Sequence, residues 1–270
     1  MCIRDRVNNK RERALPGLSG ICPFCGQKMI AKCGTQRINH WAHNNTLTCD
    51  NWQRTETEWH RAWKNEFPQE WQEVIFNNSS VGEKHIADVY TEHGIVLEFQ
   101  HSHLNERERY SREYFYGKMI WVVDALRLKG SISKLVMHFK DSMGVTKTPA
   151  LFLTPTPEQC FPQEWTNRSV PVVFDYGNPI TIDDKNNSYS LFCLFPRRVF
   201  CEVGKLAIVY CMSRLDFINH VIPKDLLSSS VNDHIVNNIV RRIKAIPDVD
   251  KESMALYIRQ NRLKYYYDEI

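Results

Sequence analysis

The stretch HIADVYTEHGIVLEFQHS, residues 85–102, decides how the rest of the chain is read. Its β-branched and aromatic residues flank a compact Glu92-His93-Gly94 break, which predicts two short strands, roughly Lys84–Thr91 and Ile95–His101, joined as a hairpin. A three-residue loop closed by a left-handed glycine sets Thr91 opposite Ile95, Val89 opposite Leu97 and Asp88 opposite Glu98. Asp88, Glu98 and Gln100 then share one face, while Leu97 and Phe99 point into a core. Opposed Cβ atoms stand about 5 Å apart, close enough for two carboxylates to grip one hard cation, and without a counter-charge such a pair is costly among apolar strands. Two alternatives stay open at this point. The acids could solubilise an exposed hairpin face, or a two-residue His93-Gly94 turn could shift the register and send them to opposite faces.

At 270 residues, 43% of them hydrophobic, the chain can form one large or two modest domains. It has no apolar run of the length that spans a bilayer, and its basic start, MCIRDRVNNKRER, leads into no apolar signal core. A cytoplasmic protein without a membrane span is expected. Of nine cysteines, two form a tight Cys-x-x-Cys and the rest are scattered, which fits metal ligands and reduced thiols better than a disulfide framework. The net charge of +4 permits a polyanionic partner without demanding one.

Taken in order, residues 1–18 lack hydrophobic periodicity and are expected as a flexible basic arm. Residues 19–50 contain Cys22-Pro-Phe-Cys25-Gly and His40-Trp-Ala-His43, the two thiolates and two imidazoles of a tetrahedral structural Zn²⁺ site, with Cys33 or Cys49 as alternatives to a histidine. So short a module would take its stability from the metal. TETEWHRAWKNEF, residues 55–67, predicts an amphipathic helix. Trp59, Trp63 and Phe67 form its apolar stripe, Glu56, His60 and Lys64 a neighbouring polar one, and Thr55 with Glu58 a capping box. A polar linker, Asn77–Ser80, leads to the hairpin; residues 103–118 predict a second helix, and MIWVVDAL, 119–126, a buried strand. Residues 51–145 thus read as one α/β core with a mixed sheet. Residues 146–270 read as an α+β region of unknown role, with strands near 170–174, 190–195 and 206–211, a helix over 214–221 and a basic helical tail.

In this order and spacing, CPFC…HWAH, TEWHRAWK, DVY…LEFQHS and REYFYGKMIWVVD resemble the competence protein CoiA-like family over roughly residues 20–126. The resemblance implies a restriction-endonuclease-like, PD-(D/E)xK nuclease core flanked by helices, behind a zinc-ribbon-like module and ahead of a strand-rich C-terminal extension. It places Asp88 as the first acid, Glu98 as the second, Gln100 where lysine is usual, and Glu58 as the helix acid beside His60 and Lys64. Lys64 is the candidate for the missing cation. Catalytic Mg²⁺ or Mn²⁺ on Glu58, Asp88 and Glu98 would activate water and stabilise a phosphorane, with Gln100 orienting the water or the phosphate. Arg109 and Arg112 would hold the substrate backbone, unless that helix is simply solvated.

The expected function is therefore Mg²⁺-dependent hydrolysis of DNA, with uptake or recombination proteins as partners. The rival is a catalytically silent, zinc-containing nucleic-acid-binding or interaction protein. A zinc hydrolase using His85, His93, His101 and His103 with Glu98 fails on direction, because His85 and His101 lie on the strand face opposite Glu98.

Overall fold

The computed structural model describes residues 4–7, 10–35, 39–43, 52, 56–78, 82–128, 130–139, 143–144, 150–154, 157–182, 188–195 and 207–221. These fold as two units, residues 1–90 with 96–116, and residues 91–95 with 117–270. Both mix helix and strand.

The first unit begins with five short antiparallel strands: β1 (Arg4–Val7), β2 (Lys10–Arg13), β3 (Ser19–Ile21), β4 (Lys28–Lys32) and β5 (His40–His43), in the order β2-β1-β3-β4-β5. Arg4–Val7 and Lys10–Arg13, within the stretch expected as a flexible arm, are therefore part of a sheet. Its pairing runs from Arg4↔Arg13 to Val7↔Lys10 and continues through Arg6↔Ile21. Backbone ladders carry no hydrophobic signature, which is why two charged tetrapeptides read as unstructured. Trp41, fully buried, pins β2 by donating from Nε1 to the Glu12 carbonyl at 3.0 Å, and packs with Ala14, Cys22 and Met29 in a small core.

The same unit continues with α1 (Glu58–Lys64), β6 (Gln72–Asn78), β7 (Glu83–Tyr90), β8 (Val96–Gln100) and α2 (Glu106–Tyr116). Strand β6 was not expected, because the polar Asn77-Asn78 end masks the Val74-Ile75-Phe76 run before it. It pairs antiparallel with β7 from Gln72↔Val89 to Asn78↔Glu83. The β7–β8 register is Val89↔Leu97 and Tyr90↔Val96, as the three-residue loop requires. Gly94 sits at φ +76°, and its N–H donates to the Thr91 carbonyl at 3.0 Å. That excludes the two-residue turn.

Helix α1 is capped by Thr57, whose extended backbone lets Oγ1 accept from the His60 N–H at 3.2 Å. The expected cap, Thr55, lies outside the described residues. The aromatic stripe docks on Phe99 of β8: Trp63 stacks at 5.6 Å and 20°, Trp59 meets the ring edge-on at 6.4 Å, and Phe67 lies at 6.3 Å.

The second unit holds β9 (Met119–Asp124), α3 (Ser131–Phe139), β10 (Met143–Gly144), β11 (Leu151–Thr154), α4 (Pro157–Cys160), β12 (Val172–Thr181), β13 (Ser188–Leu194), β14 (Ala207–Met212) and α5 (Arg214–Val221). Its strands are ordered β10-β11-β14-β13-β12-β9, with β12 parallel to β9 and the remaining pairs antiparallel. The buried strand near 119 and the later strands and helix are found where expected. The boundary expected near residue 145 is not: β9 pairs with β12 across it, and the units part at Tyr116–Gly117. The predicted helical tail lies outside the described residues. No helix among the described residues is long and apolar enough to cross a membrane.

Gly94→Ala forces a Cβ into the left-handed conformation that closes the hairpin, and is expected to destabilise the protein by about 1 kcal/mol in urea unfolding.

Candidate functional site

The β7–β8 ladder ends at Val89↔Leu97, one residue short of the acids. Beyond it the two carboxylates take over the bonding. The Asp88 N–H donates to Glu98 Oε1 at 3.3 Å, and the Phe99 N–H donates to Asp88 Oδ2 at 3.0 Å. The acids thus face each other where the strands part, within a pocket also lined by Glu56, His60, Lys64, Glu73, Gln100 and Arg112.

Two helices bring basic side chains to this opening. With the α1 aromatics docked on Phe99, the polar stripe of the same helix turns toward β7, and His60 Nε2 meets Asp88 Oδ2 at 2.8 Å. One turn on, buried Lys64 bridges Glu56 at 2.9 Å and Glu73 at 3.0 Å. From α2, Arg112 Nη1 bonds Glu98 Oε2 at 2.5 Å, while its Nη2 bonds Glu108 Oε1 at 2.7 Å and the Trp52 carbonyl at 2.5 Å.

The titration of the pair follows from this geometry. Burial alone would raise Asp88, but His60, Lys64 and the Phe99 amide outweigh it and hold the carboxyl below its ordinary range. Burial and the neighbouring Asp88 charge push Glu98 upward, against the pull of Arg112. Lys64 is held above its ordinary value, because Glu73, Asp88 and Glu56 together overcome its desolvation.

Several expected roles move. Glu58 is an exposed first-turn residue and does not line the pocket. Glu56, just ahead of the cap, takes that place. Its side chain is only 7% exposed, one oxygen is held by Lys64, and Oε2 has no hydrogen-bond partner. Glu73 was not anticipated; it stands on β6 at φ +51°, a conformation uncommon for a side chain-bearing residue, and anchors Lys64. Arg109 and Arg112 do not offer free guanidinium groups to a phosphate backbone. Both are buried: they lie with Glu113 on the inward face of α2, where Arg109 bonds the Leu104 carbonyl at 2.5 Å and Arg112 neutralises Glu98. Part of the counter-charge ascribed to a metal is therefore the protein's own. Gln100 lines the pocket, but its Nε2 is engaged by the carbonyl of Ser102 at 2.5 Å.

A second cluster lies in the N-terminal module. The Cys22 carbonyl accepts from Gly26 at 2.8 Å and the Cys22 N–H donates to Gln27 at 2.9 Å, folding Cys22-Pro-Phe-Cys25 into a tight turn. Cys22, Cys25 and His43 bring one ligand atom each within 4.8 Å of one another, with Cys25 Sγ 3.1 Å from His43 Nε2. Thiolate, thiolate and imidazole are a zinc donor set. Burial holds the His43 imidazole below its ordinary value, which favours the neutral, ligating form. His40 does not join. HWAH is a strand, so residues three apart fall on opposite faces, and only His43 faces the thiols. Cys33 is packed against the small core, its Sγ 3.7 Å from the Ala14 carbonyl, and Cys49 lies outside the described residues.

His43→Ala is expected to abolish stoichiometric zinc, measured by atomic emission on purified protein, whereas His40→Ala leaves it intact. At the acids the two signs oppose. Stability from Asp88, whose pKa is depressed on folding, is present above the ordinary carboxylate range and lost as pH falls through its folded value. Glu98 is raised on folding, so ionising it costs stability as pH climbs above that range. In thermal melts of magnesium-free protein, the fall in midpoint toward alkaline pH should therefore flatten in Glu98→Gln.

No curated protein and no solved structure matches the chain. Residues 10–51, which include the knuckle, β4 and β5, match the family model described as competence protein CoiA, N-terminal domain, so this stretch of the chain is similar to that domain.

Proposed function

We propose that the chain is a metal-dependent nuclease that hydrolyses DNA phosphodiester bonds on a PD-(D/E)xK-like core, in a competence-associated role of the kind its CoiA-like domain implies. One observation carries the reading: two facing carboxylates sit at the parted end of β7 and β8, in a pocket that also holds the orphaned Glu56 oxygen. The order α1-β6-β7-β8-α2-β9 supports the same core.

The donor chemistry suits a hard cation. Glu56, Asp88 and Glu98 supply carboxylate oxygens, and besides Glu56 Oε2, Asp88 Oδ1 accepts no hydrogen bond among the described residues. Bound there, Mg²⁺ or Mn²⁺ would supply Lewis-acid activation of water and of the phosphoryl group. Lys64, kept protonated by its three acidic neighbours, places a fixed positive charge beside Asp88 to stabilise charge developing on the phosphate. His60 fixes the orientation of Asp88 through Nε2. Arg112 opposes the rise that burial and Asp88 impose on the Glu98 carboxyl, easing its ionisation when a cation binds. Gln100, braced on Ser102 through its amide nitrogen, keeps its carbonyl for orienting water.

The rival, a silent zinc-containing binding protein, draws on one specific observation: His60 and Arg112 already satisfy one oxygen of each central acid. Cleavage of fluorescent single- and double-stranded DNA with Mg²⁺, Mn²⁺ or EDTA separates the two. Metal-dependent cleavage should fall about a hundredfold or more in Asp88→Ala, Glu98→Ala and Glu56→Gln, and stay unchanged in Glu58→Ala. Absence of cutting on every substrate by folded, zinc-loaded protein would establish the silent reading.

A further inference from the structure

The register of the N-terminal sheet sorts its charges. Ile21↔Lys28, Ser19↔Ile30, Ile30↔Ala42 and Lys32↔His40 are opposed pairs, so these residues share one face. The opposite face carries Gly20, Met29 and Trp41, all buried, with His43 at the knuckle. The first face is the outer one: Ser19, Lys28 and Lys32 are exposed, and Ile21 is 50% exposed. Through β1 the register carries the same face to the exposed Arg13 of β2. Glu12 falls on the alternate position. Every charged position that the register assigns to the outer face is basic.

Positive charges gathered on one face repel one another unless a counter-charge is present. Among the described residues, no ion pair relieves Arg13, Lys28 or Lys32. A face of this kind is complementary to a polyanion whose own charges repeat at short intervals. We propose that the outer face of the β2-β1-β3-β4-β5 sheet binds the phosphate backbone of nucleic acid, with Arg13, Lys28 and Lys32 among its contacts. The position of His40, unexplained by the zinc site, is then accounted for: it stands on this face opposite Lys32. An anionic membrane fits less well, since the described residues of the face include no Trp, Tyr or Phe to insert at a lipid interface.

Binding is read without cutting, so the proposal stands apart from the nuclease reading. Zinc-loaded full-length Asp88→Asn protein is titrated into a fluorescein-labelled oligonucleotide, single- or double-stranded, and anisotropy is followed over a series of salt concentrations. Arg13→Ala/Lys28→Ala/Lys32→Ala, made in that background, should bind tenfold or more weakly, with the slope of log K against log salt reduced by about 2 to 3. Arg107→Ala/Lys118→Ala/Lys134→Ala removes the same charge from exposed positions elsewhere and should change affinity far less. Thermal melts confirm that both triples fold. Equal losses in the two triples, an unchanged slope in the first, or binding to vesicles containing phosphatidylglycerol with none to either oligonucleotide would overturn the proposal.

Discussion

Half-buried Asp88 and buried Glu98 stand face to face at the open end of a strand pair, and most of the first unit answers to that constraint. Carboxylates taken out of water and set near each other need charge and hydrogen bonds returned to them. Backbone amides supply part, since Asp88 bonds the Phe99 N–H and Glu98 bonds the Asp88 N–H. Basic side chains from two helices supply the rest: His60 from α1 on Asp88, Arg112 from α2 on Glu98, and Lys64 within the Coulomb field of the pair. Removing any one of these would leave a buried charge poorly compensated, a change that commonly costs several kcal/mol.

Aromatic packing lets those side chains arrive in the right place. Phe99 presents its ring to Trp59, Trp63 and Phe67 while its backbone N–H holds Asp88, so one residue sets both the rotation of α1 and the direction of the acid. At the other helix Trp52 does comparable work. Its ring stacks on His85 at 3.3 Å and lies 5.4 Å from the Arg112 guanidinium carbon, and its carbonyl accepts from Arg112. Charge and core are not separable in this unit, because the residues that pack also aim the residues that titrate.

The hairpin was legible because its period, its loop length and its left-handed glycine all point to one register. The partners of its acids were less so. Residues 109 and 112 are one turn apart on a helix whose mean composition is polar, and alternating charge looks like a solvated surface until the fold shows that face turned inward. Glu58 and Glu56 differ by two residues, and the choice turns on where the helix begins. With Thr57 as the cap, Glu58 falls in the outward first turn, while Glu56, His60 and Lys64, the polar stripe visible in the sequence, stay together. His40 failed as a ligand for a related reason, since two histidines three apart converge on a helix and diverge on a strand. Glu73 left no signal, because its role depends on a left-handed backbone at a non-glycine residue.

The two clusters differ in kind, one gathering thiols and an imidazole, the other centred on carboxylates. They are also joined through β7. Lys84 sits over the Phe24 ring at 4.6 Å and donates to the Phe24 carbonyl, and Phe24 lies between the two knuckle cysteines. Residues 84 and 88 are two pleats apart on the same face of that strand. A metal bound by Cys22 and Cys25 would therefore also fix the carbonyl against which Lys84 is braced, and with it the strand that carries Asp88. Through Lys84 the knuckle braces the strand that carries Asp88, so the N-terminal strands support the acid pocket.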